Sequence, residues 1–371
     1  MNISDASISD AGISDAGISD AGISYAGAEL VSCASTLFER AGLEAEIAHV
    51  VAEVLVEAEL LEYDTHGLQF VPAYLSAIEA GRTRTSGQPE VLRDEGAALV
   101  LDGRYLPGQW VVRRALAMGL ERLGDHPMVS LAICRSQNIS CLATYVKRAA
   151  DQGALAILAA SAPDNAVVAP HGGREPRLST NPLAIAIPTA EHPILIDTST
   201  SSVTNRFIER TRRAGARLPE PWLVDAAGML SDDPEAIYAD PPGAILPAGG
   251  RMQGHKGFAL SILVEALTSG LAGAGRATPE TAGGNHLFLL LIDPEAFGGS
   301  ASFQREIGHL ARVCREVKPI DPDQPVRMPG DRAHARMAEQ QASGVRLHPE
   351  TLQRLLPWLD KYGLAPPRPL S

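Results

Sequence analysis

A basic stripe, a long apolar run, a paired cysteine motif and a glycine-rich dinucleotide loop are all missing from this chain. Its 44 acidic residues outnumber 32 basic ones, for a formal net charge of −12. Nucleic acid is thereby excluded as a main partner, because a polyanion is held by clustered cations. The longest apolar runs, such as HLFLLLI at 286–292, fall far short of the roughly 20 residues that cross a bilayer, so no membrane partner is expected. The start lacks a basic region followed by an apolar one, and with it a signal peptide. The four cysteines, Cys33, Cys134, Cys141 and Cys314, form no CxxC pair and stand near no histidines at ligand spacing. That fits reduced thiols in a cytoplasmic protein rather than zinc ligands or disulfides. No HExxH occurs, and no GxGxxG follows a strand, so neither a zinc hydrolase nor a Rossmann dinucleotide fold is expected.

What is present is an apolar content of 45% over 371 residues, enough for a sizeable core in one large or two to three ordinary domains. Residues 3–27 are five imperfect pentads, ISDAS ISDAG ISDAG ISDAG ISYAG. A period of five fits neither helix nor strand, so the repeat reads as a disordered tail without a catalytic role. Folded sequence is expected from about Ala28. Leu43, Ile47, Val50, Val51, Val54, Leu55, Ala58 and Leu61 recur at helical spacing. This helix should end near Tyr63, with DTHG at 64–67 as the turn after it. A second helix is expected over about Pro72–Ala80, stopped by Gly81.

Further on, 97–103, 128–135 and 154–160 read as strands, with helices over 109–124 and 140–153 between them. That alternation implies an α/β core. PLAIAIP, HPILID and HLFLLLID read as strands, and no long helix separates the first two, so the sheet is expected to be mixed. Residues 256–273 read as a strong helix, and the C-terminal stretch as two helices split near Gly344. The expected organisation is a tail (1–27), an N-terminal helical region (28–108), a mixed α/β body (109–332) and C-terminal helices (333–371). Turns at 169–188, 254–260 and 326–332 place backbone amides or cations where anionic phosphates bind well. Each could equally be an ordinary loop.

Five stretches carry a resemblance: DTHG (64–67), LSTNPLAIAIP (178–188), ILIDTSTS (194–201), HKGFAL (255–260) and VRMPGD (326–331). In this order and at these distances they resemble the malate/L-lactate dehydrogenase family. Its members are non-Rossmann NAD(P)-dependent enzymes that include ureidoglycolate and sulfolactate dehydrogenases and piperideine-2-carboxylate reductases. The resemblance runs from about Ala28 to Leu364. It implies a mixed α/β, non-Rossmann fold with N- and C-terminal helical regions, and a homodimer. It also implies hydride transfer between NAD or NADP, NADPH being favoured, and C2 of a small 2-oxo, 2-hydroxy or imino acid. By the same resemblance His66 is the proton donor or acceptor, a task suited to an imidazole, and Thr65 orients it. Thr180 matches a substrate-contacting threonine. Asp197, Thr198 and Ser199 match a cofactor-side turn. His255 and Lys256 match a nucleotide contact before a helix, and Arg327, Pro329, Gly330 and Asp331 a C-terminal nucleotide-binding segment.

Three departures from the family's pattern stand out. Relatives carry an arginine four residues after the histidine, where it binds the substrate carboxylate; here the residue is Phe70, and no arginine lies between His66 and Ala80. A guanidinium gives a carboxylate two parallel hydrogen bonds and a phenyl ring none, a loss on the order of 2–5 kcal/mol for a buried pair. Phe70 is therefore expected to face an apolar substrate group. Where relatives have histidine, an aromatic residue and glycine at the cofactor, this chain has Asn138, Ile139 and Ser140. Asn138 can donate a hydrogen bond but cannot carry a proton, and Ser140 is expected to cap the next helix. Where relatives have small residues and a glycine, this chain has Thr204, Asn205, Arg206 and Phe207, with Glu209 as the nearest acid. Two readings follow. One is a reductase of altered substrate choice, whose substrate lacks the usual carboxylate or presents it to Arg174, Arg177 or Arg206. The other is a family member that kept the dimer fold and lost hydride transfer, as a non-redox enzyme or a structural partner.

Overall fold

The computed structural model describes residues 23–278 and 283–370. The first four pentads therefore lie outside the described residues. The fifth does not: Ser24–Tyr25 form a short strand, β1, antiparallel to Val345–Arg346 near the C-terminus. The described residues thus begin before the expected Ala28, and one residue sets this pentad apart in the sequence. Each earlier pentad has Asp at its centre, whereas the fifth has Tyr25, which is 2% exposed and packed in the main core.

Helices α1 (Gly27–Arg40) and α2 (Ala45–Leu60) follow. Every apolar position from Leu43 to Leu61 named above is buried, so the helical spacing identifies the buried face correctly. Two short 3₁₀ turns, Asp64–His66 and Leu68–Phe70, lead into α3 (Val71–Glu79). Then come β2 (Glu90–Asp94), β3 (Ala98–Asp102), α4 (Gly108–Arg122), β4 (Met128–Ser136), α5 (Ala143–Ala150), β5 (Leu155–Ser161), β6 (Leu183–Ile187) and β7 (Ile194–Thr198). Next are α6 (Asn205–Arg213) and three two-residue strands, β8 (Leu223–Val224), β9 (Leu230–Ser231) and β10 (Ala244–Ile245), which form a small sheet of their own. The remaining elements are α7 (Gly250–Glu265), β11 (Asn285–Ile292), α8 (Ser300–Arg315), α9 (Asp331–Ser343), β12 (Val345–Arg346) and α10 (Pro349–Tyr362).

The large sheet runs β2-β3-β4-β11-β5-β6-β7. It is mixed: β3 and β4 pair in parallel across the α4 crossover, and the other pairings are antiparallel. The β4–α5–β5 rhythm does not make neighbours of β4 and β5, because β11 enters between them, antiparallel to both. A central strand is covered on both faces, which is why β11 is apolar almost throughout rather than alternating; His286, Leu287, Phe288, Leu289 and Leu291 are all buried. The two C-terminal helices divide at Gly344, with β12 between them. Helices α6 and α8 were not anticipated. In α6 only Ile208 is buried, so NRFIERTRR carries no apolar stripe for a periodicity argument to find. No helix among the described residues is long and apolar enough to cross a membrane.

Replacing Tyr25 by the Asp of the other pentads places a carboxylate in the core. Tyr25→Asp is expected to cost about 3 kcal/mol of stability, read as a lower urea midpoint at unchanged cofactor-free secondary structure.

Candidate active site

A cavity of about 620 Å³ opens beside the 64–70 turns, within the range that ligand pockets span. Thr65, His66, Phe70, Asn138, Ser140, Thr180, Asp197, Thr198 and Ser199 all line it. Segments far apart in the chain thus converge on one space: the end of α2, the loop before α5, the end of β7, the start of α6, and α9.

His66 is held from both sides of its backbone and ring. Thr65 Oγ1 lies 2.9 Å from His66 Nδ1, which engages one ring nitrogen and leaves Nε2 for a ligand. The Ser140 hydroxyl donates to the His66 carbonyl. Behind the turn, Leu68 N–H donates to buried Glu59 Oε1 at 2.6 Å. Gly67 permits that approach, since a Cβ there would stand 2.2 Å from the same oxygen. Burial pushes the Glu59 carboxyl up. Burial, and then the charge of Arg206, push the His66 imidazole down to about 4. At neutral pH the ring is therefore a base, and it must first take up a proton to act as an acid.

The three departures are linked, two directly and the third through Tyr74. Phe70, 4% exposed, is stacked on Tyr74 with ring centroids 5.4 Å apart, and lies 5.8 Å from the His66 ring. The Arg206 guanidinium sits over the Phe70 ring at 4.5 Å. Tyr74 hydroxyl donates to Asn138 Oδ1 at 2.6 Å, and Ser140 N–H donates to the same oxygen at 2.9 Å. Asn138 thus engages its neighbours as an acceptor, not as the expected donor. Ser140 does not cap α5: Ala143 N–H donates to Asp197 Oδ2 at 2.8 Å, and the Ser140 hydroxyl is used on His66. Glu209, the nearest acid in the sequence, pairs with Arg206 at 2.7 Å rather than with the histidine. Of the three arginines named as alternative carboxylate partners, Arg206 lines the cavity and Arg174 and Arg177 do not; Arg177 is exposed and paired with Glu175.

The remaining positions divide. The Thr180 carbonyl accepts from Thr200 N–H at 3.0 Å and from its hydroxyl at 3.1 Å, which ties two cavity-lining segments together. Thr198 and Ser199 lie in a turn of hydroxyl-to-carbonyl bonds. His255 and Lys256, exposed in the first turns of α7, lie outside the cavity lining. So do Arg327, Pro329, Gly330 and Asp331. Their contacts are with the fold. The Pro329 carbonyl accepts from Leu195 N–H at 3.1 Å. Gly330 adopts φ +92°, and a Cβ there would meet Leu195 N at 2.8 Å. Asp331 accepts two bonds from Arg315, at 2.9 and 2.6 Å, and one from Met328 N–H. Burial opposes its ionisation, but these donors outweigh it and bring the carboxyl to about 2.

Several lining residues escaped the sequence reading. Arg332 and Arg336, on the first turns of α9, line the cavity and pair with Glu62. Arg210 lines it and pairs with Asp64 at 3.0 Å. His348 accepts from Glu350 N–H through Nδ1, and its Nε2 is buried without a partner among the described residues. Each of these contacts except the His348 cap joins segments remote in sequence, so no local spacing announces them.

Residues 26–356 match the family described as malate/L-lactate dehydrogenase. The chain belongs to that family. Among relatives, the L-lactate dehydrogenase of Cupriavidus necator is 31% identical over 302 residues, which is 80% of this chain and 85% of that protein. The Delta(1)-pyrroline-2-carboxylate/Delta(1)-piperideine-2-carboxylate reductase of Pseudomonas syringae pv. tomato is 30% identical over 341 residues, 88% of this chain and 94% of that one. Among solved structures, malate dehydrogenase from Entamoeba histolytica superposes with a TM-score of 0.88 at 24% identity, covering 94% of this chain and 100% of that one. That likeness is one of fold, and the mixed sheet flanked by helices is a malate/L-lactate dehydrogenase fold.

The His66 ring of this family member is expected to stay neutral down to about pH 4 in an imidazole NMR titration. Arg206→Gln should raise that midpoint, because it removes the second of the two causes. The sign for stability follows from the ordinary value of 6.5: below it the unfolded chain takes up a proton that the folded chain refuses. The site's contribution is therefore whole above pH 6.5 and is lost as pH falls toward 4.

Proposed function

We propose that the chain is an NAD(P)-dependent oxidoreductase that moves hydride to or from C2 of a small 2-oxo, 2-hydroxy or cyclic imino acid, with altered substrate choice. The observation that carries this reading is the convergence of Thr65, His66, Thr180 and residues of all three departures on one cavity. Among the departures, Arg206 rests on the Phe70 ring, and Ser140 N–H donates to Asn138 Oδ1. Tyr74 and the His66 carbonyl bond to Asn138 and Ser140 in turn. The relatives' names supply the class of reaction. L-lactate dehydrogenase and piperideine-2-carboxylate reductase differ in the atom on C2 but share an α-carboxylate and a proton exchanged beside the hydride.

The donor set fits a dinucleotide. Arg332 and Arg336 put cations on the α9 wall of a chain whose net charge is −12, and phosphates are held by such groups. Thr198, Ser199, Asn138 and Ser140 would meet the cofactor from the opposite segments, and His255, Lys256 and Arg327 from the adjoining surface. Pro329, Gly330 and Asp331 would act through α9, which they fasten to β7. The nicotinamide supplies or accepts the hydride. The chain supplies the rest: Thr65 engages Nδ1, and His66 exchanges a proton at the substrate oxygen or nitrogen. The exposed apolar residues of α7, among them Met252, Leu260 and Leu263, support a homodimer, and the free thiols a reducing, cytoplasmic setting.

Titration with NADH and NADPH, followed by nicotinamide fluorescence, is expected to show saturable binding of at least one. His66→Asn should leave that binding unchanged and lower kcat on a 2-oxo acid by roughly 10²–10⁴-fold. Binding of neither nucleotide would overturn the reading.

A further inference from the structure

By the resemblance, Phe70 stands where the family's pattern carries an arginine, and Arg206 falls in a stretch where that pattern has small residues and a glycine. The two side chains are in contact. Arg206 stands at the second residue of α6, whose start is fixed by Thr204 Oγ1 accepting from Phe207 N–H at 3.2 Å. Its guanidinium lies over the Phe70 ring at 4.5 Å, and its Nη1 donates to Glu209 Oε2 at 2.7 Å. A planar cation resting on a ring and tied at one nitrogen has little rotational freedom left, and its other N–H groups remain in a fixed fork. The side chain is 29% exposed and lines the cavity. Its platform is itself braced: Phe70 stacks on Tyr74, whose hydroxyl donates to Asn138 and accepts from Gln109.

Given the reading of the chain as an oxidoreductase of small acids, on which this inference rests, we propose that Arg206 binds the substrate carboxylate and that Phe70 is its platform. The anchor would thus stand at the start of α6, in contact with the position before α3 where the family's pattern has it. The substrate therefore keeps its carboxylate. Phe70, 4% exposed and covered by Tyr74 and Arg206, has no open face for an apolar substrate group, which replaces the expectation drawn from its side chain alone. Arg210 pairs with Asp64, Arg332 and Arg336 with Glu62, and Arg346 with Glu339, as Arg206 does with Glu209; what sets Arg206 apart is its contact with Phe70, beside His66. Arg206 is also the cation whose charge His66 feels. A carboxylate arriving on Arg206 offsets that charge and eases protonation of the ring that must serve the same substrate.

The test is calorimetric titration of the full chain with oxamate, an unreactive isostere of pyruvate, with and without NADPH. Arg206→Gln is expected to weaken oxamate binding about 30-fold or more, a loss of at least about 2 kcal/mol, and to leave NADPH affinity unchanged. Arg206→Lys keeps the charge without the fork and should fall between the two. Adding Phe70→Arg to the Arg206→Gln chain should recover part of the loss. Oxamate affinity unchanged in Arg206→Gln, or no oxamate binding to the wild-type chain in either state, overturns the proposal. Oxamate binding that depends on Arg206 in a chain that binds neither NADPH nor NADH would keep the anchor and remove the redox reading.

Discussion

The imidazole of His66 and the guanidinium of Arg206 line the same cavity, each against the Phe70 ring, and burial together with that positive charge pushes the imidazole pKa down. A neutral imidazole can accept a proton at once, and an anion that offsets the nearby cation makes the ring easier to protonate. Under the proposed function, the pairing would link arrival of an anion to readiness of a proton donor. Both side chains depend on the surrounding packing for this. Thr65 and the Ser140–His66 bond hold the ring, and Phe70 and Glu209 hold the guanidinium.

Much of the frame could be read from residue patterns, because burial leaves a periodic trace. The α2 face and the strands from β3 to β7 follow from spacing and apolar runs. The insertion of β11 between β4 and β5 does not, since an apolar run records that a strand is covered on both faces but not which strands flank it. Helix α6 left no trace either, being polar around almost its whole circumference. At the site, Thr65 and His66 were legible because they sit in one four-residue motif. The Arg206–Phe70 contact was legible only as two separate departures. Nothing in either local stretch says that they meet, because the fold, not the spacing, brings the turn before α3 and the start of α6 to the same cavity.

The VRMPGD segment shows how a motif can serve a site without lining it. Pro329 accepts from Leu195 on β7, Gly330 allows the close approach there, and Asp331 collects Arg315 and a backbone N–H. These contacts set where α9 begins. One residue later, α9 presents Arg332 to the cavity, and one turn further Arg336. The segment's contacts with the fold thus set the start of the helix that carries these two cations.

Ser140 adopts φ +63°, a left-handed conformation that glycine accepts freely and serine does not. Such a conformation costs on the order of 1–3 kcal/mol and persists where surrounding contacts over-determine it. Two contacts do so here. Its N–H donates to Asn138 Oδ1, and its hydroxyl donates to the carbonyl of His66. The second bond joins the loop before α5 to the turn that carries the His66 ring. The first continues through Asn138 and Tyr74 to the platform beneath Arg206. Strain at one backbone position is thus offset by bonds that connect His66 to the platform of Arg206, so a ligand that shifts either loop acts on both.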